Sequence, residues 1–342
     1  MLSSSRRSAI AVLPPCAVPG ARITLRLPHF DVDRPRLPEV RIGGLPARVV
    51  FASPRSAGVL VPEGLASPRA EIAVEGVGAT GHVDVATPIA ADLYQVDNPA
   101  FDREGNLYVT CSGMRGQRVP VSIFRIRPDG TREPFVTGIV NATSMAFGPD
   151  GHLYVSSRFE GKVYRVDADG RPTPIGNNLG VACGLAFAAD GSLFVGDRSG
   201  TILRLDPGSG SVRPHAAIPS SVAAFHLAID AHGALYATGP TLAPYDHVYR
   251  IDADGHVEIV TSAFGRPQGL AFDRAGVLHV VEAAAGWSGV YRIAADRTID
   301  QVVAGTNLVG LAFDPGGGLV VSSNDTAYRF LPSSLQSSVR EA

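Results

Sequence analysis

Short runs in which apolar and polar residues alternate, broken by Pro and Gly, fill the chain. Before residue 85 they read AIAVL, ARITLRL, EVRIGG, ARVVFAS, AGVLVPEG and AEIAVEG, with turn signals about every ten residues. Period-two patterning of this kind predicts a small antiparallel sandwich over 8–82, preceded by a tail at 1–7. From residue 90 the pattern becomes repetitive. The stretch FGPDGHLYV, 147–155, has relatives beginning at Phe101, Phe187, Ile229, Phe272 and Phe313, so six copies recur at intervals of 40 to 46 residues.

Each copy holds four extended runs, shown by TSMAFGP, HLYVSSR, GKVYRVDA and RPTPIG in the second. The Gly between the first two runs supplies the positive φ of a tight hairpin, and a second Asp-Gly recurs at Asp129-Gly130, Asp169-Gly170 and Asp254-Gly255. Four strands per copy and a period in the blade range predict an all-β chain, an immunoglobulin-like sandwich followed by a six-bladed β-propeller over 83–333. A tail remains at 334–342. The fourth run of the sixth copy, PSSLQSSVR, is a poor strand, so the run at 82–90 is expected to close the ring in its place.

Composition narrows the function. Hydrophobic residues at 45%, charged residues at 18% and a net charge of -2 describe a folded protein without the basic surface of a nucleic-acid binder. Lys162 is the only lysine, which leaves Schiff-base chemistry with almost no candidate. Cys16, Cys111 and Cys183 are too far apart for a disulfide framework or a CxxC metal site. Arg6 and Arg7 precede an apolar run ending near Cys16, but Pro14 and Pro15 interrupt it; cytoplasmic residence is expected, with export the alternative. No run approaches a membrane span.

In a propeller blade the first strand is innermost. The residues four places before the repeated Phe, namely Asp97, Thr143, Cys183, Phe225, Gln268 and Val309, should therefore gather at one mouth of the channel. The loops after the second strands open on the same mouth and differ in length, which is where binding usually resides. They bring Arg115, Arg118, Arg158, Asp197, Arg198, Tyr245, Asp246, His247 and Trp287, and Arg266 precedes an inner strand. Arg118, Arg158, Asp197, Arg198, Tyr245, Arg266 and Trp287 are the expected ligand-binding set, suited to a small polar or anionic molecule, a carbohydrate-like one, or a protein loop.

The series PPCAVPGARITLRL, VRIGGLPARVVFAS and GVLVPEGLASPRAEIAVEG resembles an IPT/TIG immunoglobulin-like domain over about 8–82, which implies a spacer or contact module. The copies over about 90–331 resemble the NHL and senescence-marker-protein/gluconolactonase superfamily; RPQGLAFDRAG, 266–276, and VDNPAF, 96–101, are similar to its metal-bearing signatures. That resemblance implies a divalent cation that polarises a lactone carbonyl. Its ligand positions fall on Asp97, Phe225 and Gln268, so only one carries the required charge, and a substrate-contacting asparagine falls on Cys183. A displaced set of Asp97, His226, Gln268 and Glu282 could hold one divalent ion, calcium or, better, zinc. Asp97 and His226 are the candidate catalytic groups. Two functions stay open: a recognition propeller, favoured by the substitutions at Phe225 and Gln268, and a gluconolactonase-like metal-dependent hydrolase with a remodelled site.

Overall fold

The computed structural model describes residues 9–286 and 288–331, and every regular element among them is a strand. The chain folds as two units: 9–87 with 300–306 and 329–331, and 88–299 with 307–328. In the first unit one sheet orders Ala11–Leu13, Arg22–Arg26, Ser56–Leu60 and Val49–Ser53, all antiparallel. The other runs Cys16–Ala17, Thr80–Val85, Arg69–Val74, Val40–Ile42 and Leu45–Ala47. Ile23 and Leu25 in the first sheet and Ala70, Ile72 and Val74 in the second alternate with more exposed neighbours, and with Val83 and Val85 they form the buried faces.

Two segments expected in the propeller pair differently. Of the run at 82–90, only Thr87–Ala90 lies beside Ala327–Arg329 as the outer strand of the sixth blade. His82 to Val85 belong to the strand Thr80–Val85, because the alternating buried face of Gly81, Val83 and Val85 completes the first unit's core. Ile299–Ala304 is likewise paired, through Val303 and Ala304, with Cys16 and Ala17 in parallel.

The second unit is a six-bladed propeller. Blade two shows the plan: Ala142–Phe147, Leu153–Ser157, Lys162–Val166 and Pro172–Gly176 form an antiparallel meander. Each blade's first strand packs against the next, and the sixth, Leu308–Phe313, returns to the first, Ala100–Phe101. The hairpin glycines Gly105, Gly151, Gly191, Gly233, Gly276 and Gly317 all have φ between 78° and 87°, which explains why the turn is written six times.

The repeated Phe has a packing role as well. Tyr108 meets Phe147, Tyr154 meets Phe187, Tyr236 meets Phe272 and His279 meets Phe313, each edge-on with ring centroids 4.8 to 5.1 Å apart. One aromatic on a second strand thus clasps the Phe of the following blade, an arrangement stabilising by about 0.5–1.5 kcal/mol per pair beyond area burial. Where Ile229 replaces the ring, it packs in one apolar cluster with Phe194.

His279 takes the clasp position held by Tyr in three other blades, and burial pushes its imidazole below the usual 6.5, with Asp273 opposing and Arg292 reinforcing. Burial lowers His215 in the same direction. The unfolded chain therefore takes up these protons first, and stability falls as pH drops below about 6.5. Asp190, held low by the Ser192 hydroxyl and N–H and by Arg204, loses its contribution only near and below about pH 4, so the two windows separate. The melting temperature is expected to fall between pH 7 and pH 5.5, and to fall less in His279→Phe. A pH profile of that variant identical to wild type contradicts the assignment.

Candidate functional site

The inner strands approach one another backbone to backbone. A Cβ on Gly184 would lie 2.7 Å from the Phe225 carbonyl oxygen, one on Gly269 2.7 Å from Gly310 Cα, and one on Gly310 2.7 Å from the Asp97 carbonyl oxygen. These glycines stand three places before the repeated Phe. In blades two, three, five and six the first strand breaks register at this level, between Ala142 and Met145, Ala182 and Leu185, Pro267 and Leu270, and Leu308 and Gly310. Such a bulge re-aims the side chains beside it.

Blade four has no bulge. His226 pairs with Thr238 and Leu227 with Ala237 in unbroken register. Phe225, expected at the mouth, is instead fully buried between blades with Cys183, Ala224 and Leu227. Its ring fills the space beside Gly239 and Gly196, two residues without side chains. His226 takes the inward place. The exchange of roles between neighbours follows from the missing extra residue, because side chains alternate along an unbulged strand.

His226 Nδ1 lies 2.5 Å from Asp97 Oδ1, and its Nε2 lies 3.3 Å from Gln268 Oε1. The ring is 0% exposed, and Asp97 and Gln268 are buried beside it. Asp97 Oδ1 also accepts the Asn98 N–H at 2.7 Å. The carboxylate thereby fixes the imidazole with Nδ1–H toward it. Either an imidazolium donating at both nitrogens, or a Gln268 amide turned so that its NH2 meets a neutral Nε2, satisfies the second contact. Asn98 anchors the cluster from behind: its Nδ2 donates to the Leu270 carbonyl at 2.8 Å and its Oδ1 accepts from the Leu311 N–H at 3.0 Å.

Of the four residues expected to hold a metal, Asp97, His226 and Gln268 come together and Glu282 does not. Glu282 accepts backbone N–H groups from Gly265, Arg266 and Ala284 at 2.5 to 2.9 Å, so its carboxylate ties a loop to the end of its strand. Asp197, expected to bind ligand, has the same employment: its Oδ1 accepts the Val181 N–H at 2.7 Å and its Oδ2 the Ser199 hydroxyl. The equivalence follows from register, since Asp197 pairs with Ala182 as Glu282 pairs with Pro267. Both carboxylates are engaged in holding their loops.

The remaining three do not fit a cation. The His226 Nδ1 is turned on Asp97 and its Nε2 on Gln268, which leaves neither nitrogen for a soft ion such as zinc, and one carboxylate with one amide falls short of the six to eight oxygens of calcium. Among the described residues the one group of three acidic, imidazole or thiol ligands within 4.8 Å of one another is Asp252, Asp254 and His256. That group is a hairpin turn in which Asp252 Oδ1 accepts the N–H of Asp254 and of His256.

Above the cluster lies a cavity of about 240 Å³ whose wall includes Gln95, Arg158, Cys183, Arg198, Gln268 and Asn324. Arg158 and Arg198 have no ion-pair partner among the described residues, although their positive charge reaches Cys183. Gln95 is 1% exposed, and neither its amide nitrogen nor its amide oxygen has a hydrogen-bond partner there. Asn324 Nδ2 is spent on the Gln95 carbonyl at 2.8 Å. Arg118 and Arg266 are exposed and stand off this wall, Tyr245 lines a neighbouring hollow, and Trp287 lies outside the described residues. Gln95 and Asn324 escaped the sequence reading because they flank the repeats; their shared signal is a polar amide just outside a first or second strand.

Burial pushes the Cys183 thiol up to about 12, which removes it as a nucleophile. Cys16 is raised to about 12 by burial and by Asp84, whereas Cys111 is half-buried and its pKa is raised by burial. A disulfide reagent at pH 8 is expected to modify Cys111 alone in the folded protein and all three thiols after denaturation. Rapid native labelling of Cys183 contradicts this.

No family model matches the chain, and no curated protein matches it. Solved structures do. A gluconolactonase from Xanthomonas campestris superposes with a TM-score of 0.61 at 17% identity, over 88% of this chain and 99% of that one. An auxiliary nutrient binding protein from Bacteroides ovatus gives 0.57 at 15% identity, over 95% and 98%. A catalytically inactive histidine-to-alanine variant of virginiamycin B lyase from Staphylococcus aureus, with quinupristin, gives 0.53 at 12% identity, over 96% and 97%. At these identities the likeness carries the propeller fold.

Proposed function

We propose that this chain is a recognition propeller that binds a small anion in the cavity at its channel mouth. The observation that carries the reading is the wall itself. It holds two guanidinium groups without ion-pair partners and a buried amide, Gln95, without hydrogen-bond partners among the described residues. Buried amides are nearly always paired, so this one points to a group supplied from outside. A carboxylate suits the wall: its oxygens accept from Arg158 and Arg198, and the Gln95 and Gln268 amides add donors. A volume of about 240 Å³ favours a small molecule over a protein loop. The Bacteroides nutrient binding protein is consistent with such a role. The N-terminal unit, read as an IPT/TIG-like spacer, contributes no chemistry.

The Asp97–His226 pair supports a second reading, acid–base catalysis of ester or lactone opening, for which the gluconolactonase and lyase folds are precedent. His226 is wholly buried and absent from the cavity wall, so a substrate would have to displace Gln268 to reach it. That burial favours recognition.

Ligand-observed NMR with butyrate and gluconate, against the uncharged butyramide and glucose, tests both. Binding of the acids alone is expected, weakened about tenfold or more in Arg158→Gln and Arg198→Gln. Equal binding of the neutral compounds contradicts anion recognition. Hydrolysis of glucono-δ-lactone that is lost in His226→Gln, while butyrate still binds, would establish the catalytic reading instead.

A further inference from the structure

The cavity does not end at its arginines. Val222 lines both this cavity and a second hollow of about 430 Å³, whose wall includes Pro219, Leu242, Ala243, Tyr245 and Tyr249. The connection is built into the backbone: the Val222 N–H donates to the Pro240 carbonyl at 2.8 Å, and the Ser221 N–H donates to the Arg198 carbonyl at 3.0 Å. The segment 219–222 is therefore tied by its backbone to Arg198 on one side and to the blade-four loop on the other.

The second hollow is apolar where it meets solvent. Leu242 is 91% exposed and Tyr245 63%, and Val222 is exposed as well. Large apolar side chains so exposed on one loop are costly unless something covers them. The loop that carries them is nonetheless ordered from below. Asp246 accepts the Thr241 N–H at 3.0 Å and the Thr241 hydroxyl at 2.6 Å, and the Thr241 Oγ1 accepts the Ala243 N–H at 3.0 Å. Leu242 and Tyr245 are thus presented on a held turn. Within the same wall His247 keeps a buried Nδ1 with no hydrogen-bond partner among the described residues.

We infer that the ligand is an amphipathic carboxylate, its acid group held by Arg158, Arg198 and Gln95 and its hydrocarbon or aryl portion laid across Val222 onto Leu242 and Tyr245. This rests on the anion reading above and adds the apolar half. The two hollows share the wall residue Val222, so one molecule lying across it reaches both; charge complementarity sets its direction. The apolar end covers side chains that water covers poorly, and the acid end neutralises guanidinium groups that have no ion-pair partner among the described residues.

The test is a chain-length series. Butyrate, hexanoate and octanoate are titrated calorimetrically into the full protein, beside octanol, and into Leu242→Ser and Tyr245→Ser. Affinity is expected to rise about fourfold per methylene that becomes buried. Both serine variants should erase most of that rise and leave butyrate binding unchanged, and octanol should bind far more weakly than octanoate. Since Leu242 and Tyr245 are exposed, these variants are expected to fold as wild type. Three acids binding equally, with dependence on Arg158 and Arg198 retained, overturns the apolar half and keeps the anion reading. No acid binding at all overturns both. Octanol binding as tightly as octanoate shows a merely greasy surface and likewise overturns the proposal.

Discussion

The close approach of the six inner strands governs the rest of the propeller. Around the axis there is room for backbone but hardly for side chains, and Gly184, Gly269 and Gly310 are the residues that let neighbouring strands meet. Four of the blades accommodate the crowding with a register break. What each break decides is which of two adjacent residues looks into the mouth. A propeller therefore chooses its central chemistry through local strand geometry as much as through residue identity.

Blade four shows the consequence. Its unbroken strand places a histidine where three other blades have glycine, and the bulky neighbour Phe225 turns into the core. The histidine is then satisfied on both sides, by Asp97 from blade one and Gln268 from blade five, so three blades are joined by one buried polar chain. With its polar groups turned on each other, that chain sends only Gln268 to the cavity wall. On the proposed reading, recognition falls to Arg158, Arg198 and the Gln95 side chain, which have no partner among the described residues.

Much of the fold was legible because it is repetitive: a glycine with positive φ marks each of the six hairpins, and a Phe stands in five copies, four of them clasped by an aromatic ring of the preceding blade. The site was legible only in part. Asp97, His226 and Gln268 could be gathered from their places before the repeated Phe, and Arg158 and Arg198 from the tight loops. Phe225 was misplaced because the letters do not mark which strand carries a bulge; the one clue was a histidine where three other blades have glycine. Glu282 and Asp197 looked like site acids because composition does not reveal that backbone N–H groups already occupy a carboxylate. Gln95 lay outside every repeat, and its unpaired amide is visible only in three dimensions.

The most direct measurement is anomalous diffraction from crystals soaked with 8-bromooctanoate. The account predicts a carboxylate between Arg158 and Arg198, within hydrogen-bond reach of the Gln95 amide, and a bromine peak beyond Val222 beside Leu242 and Tyr245. Carboxylate density elsewhere, with the cavity above Gln268 filled by ordered water alone, would contradict it.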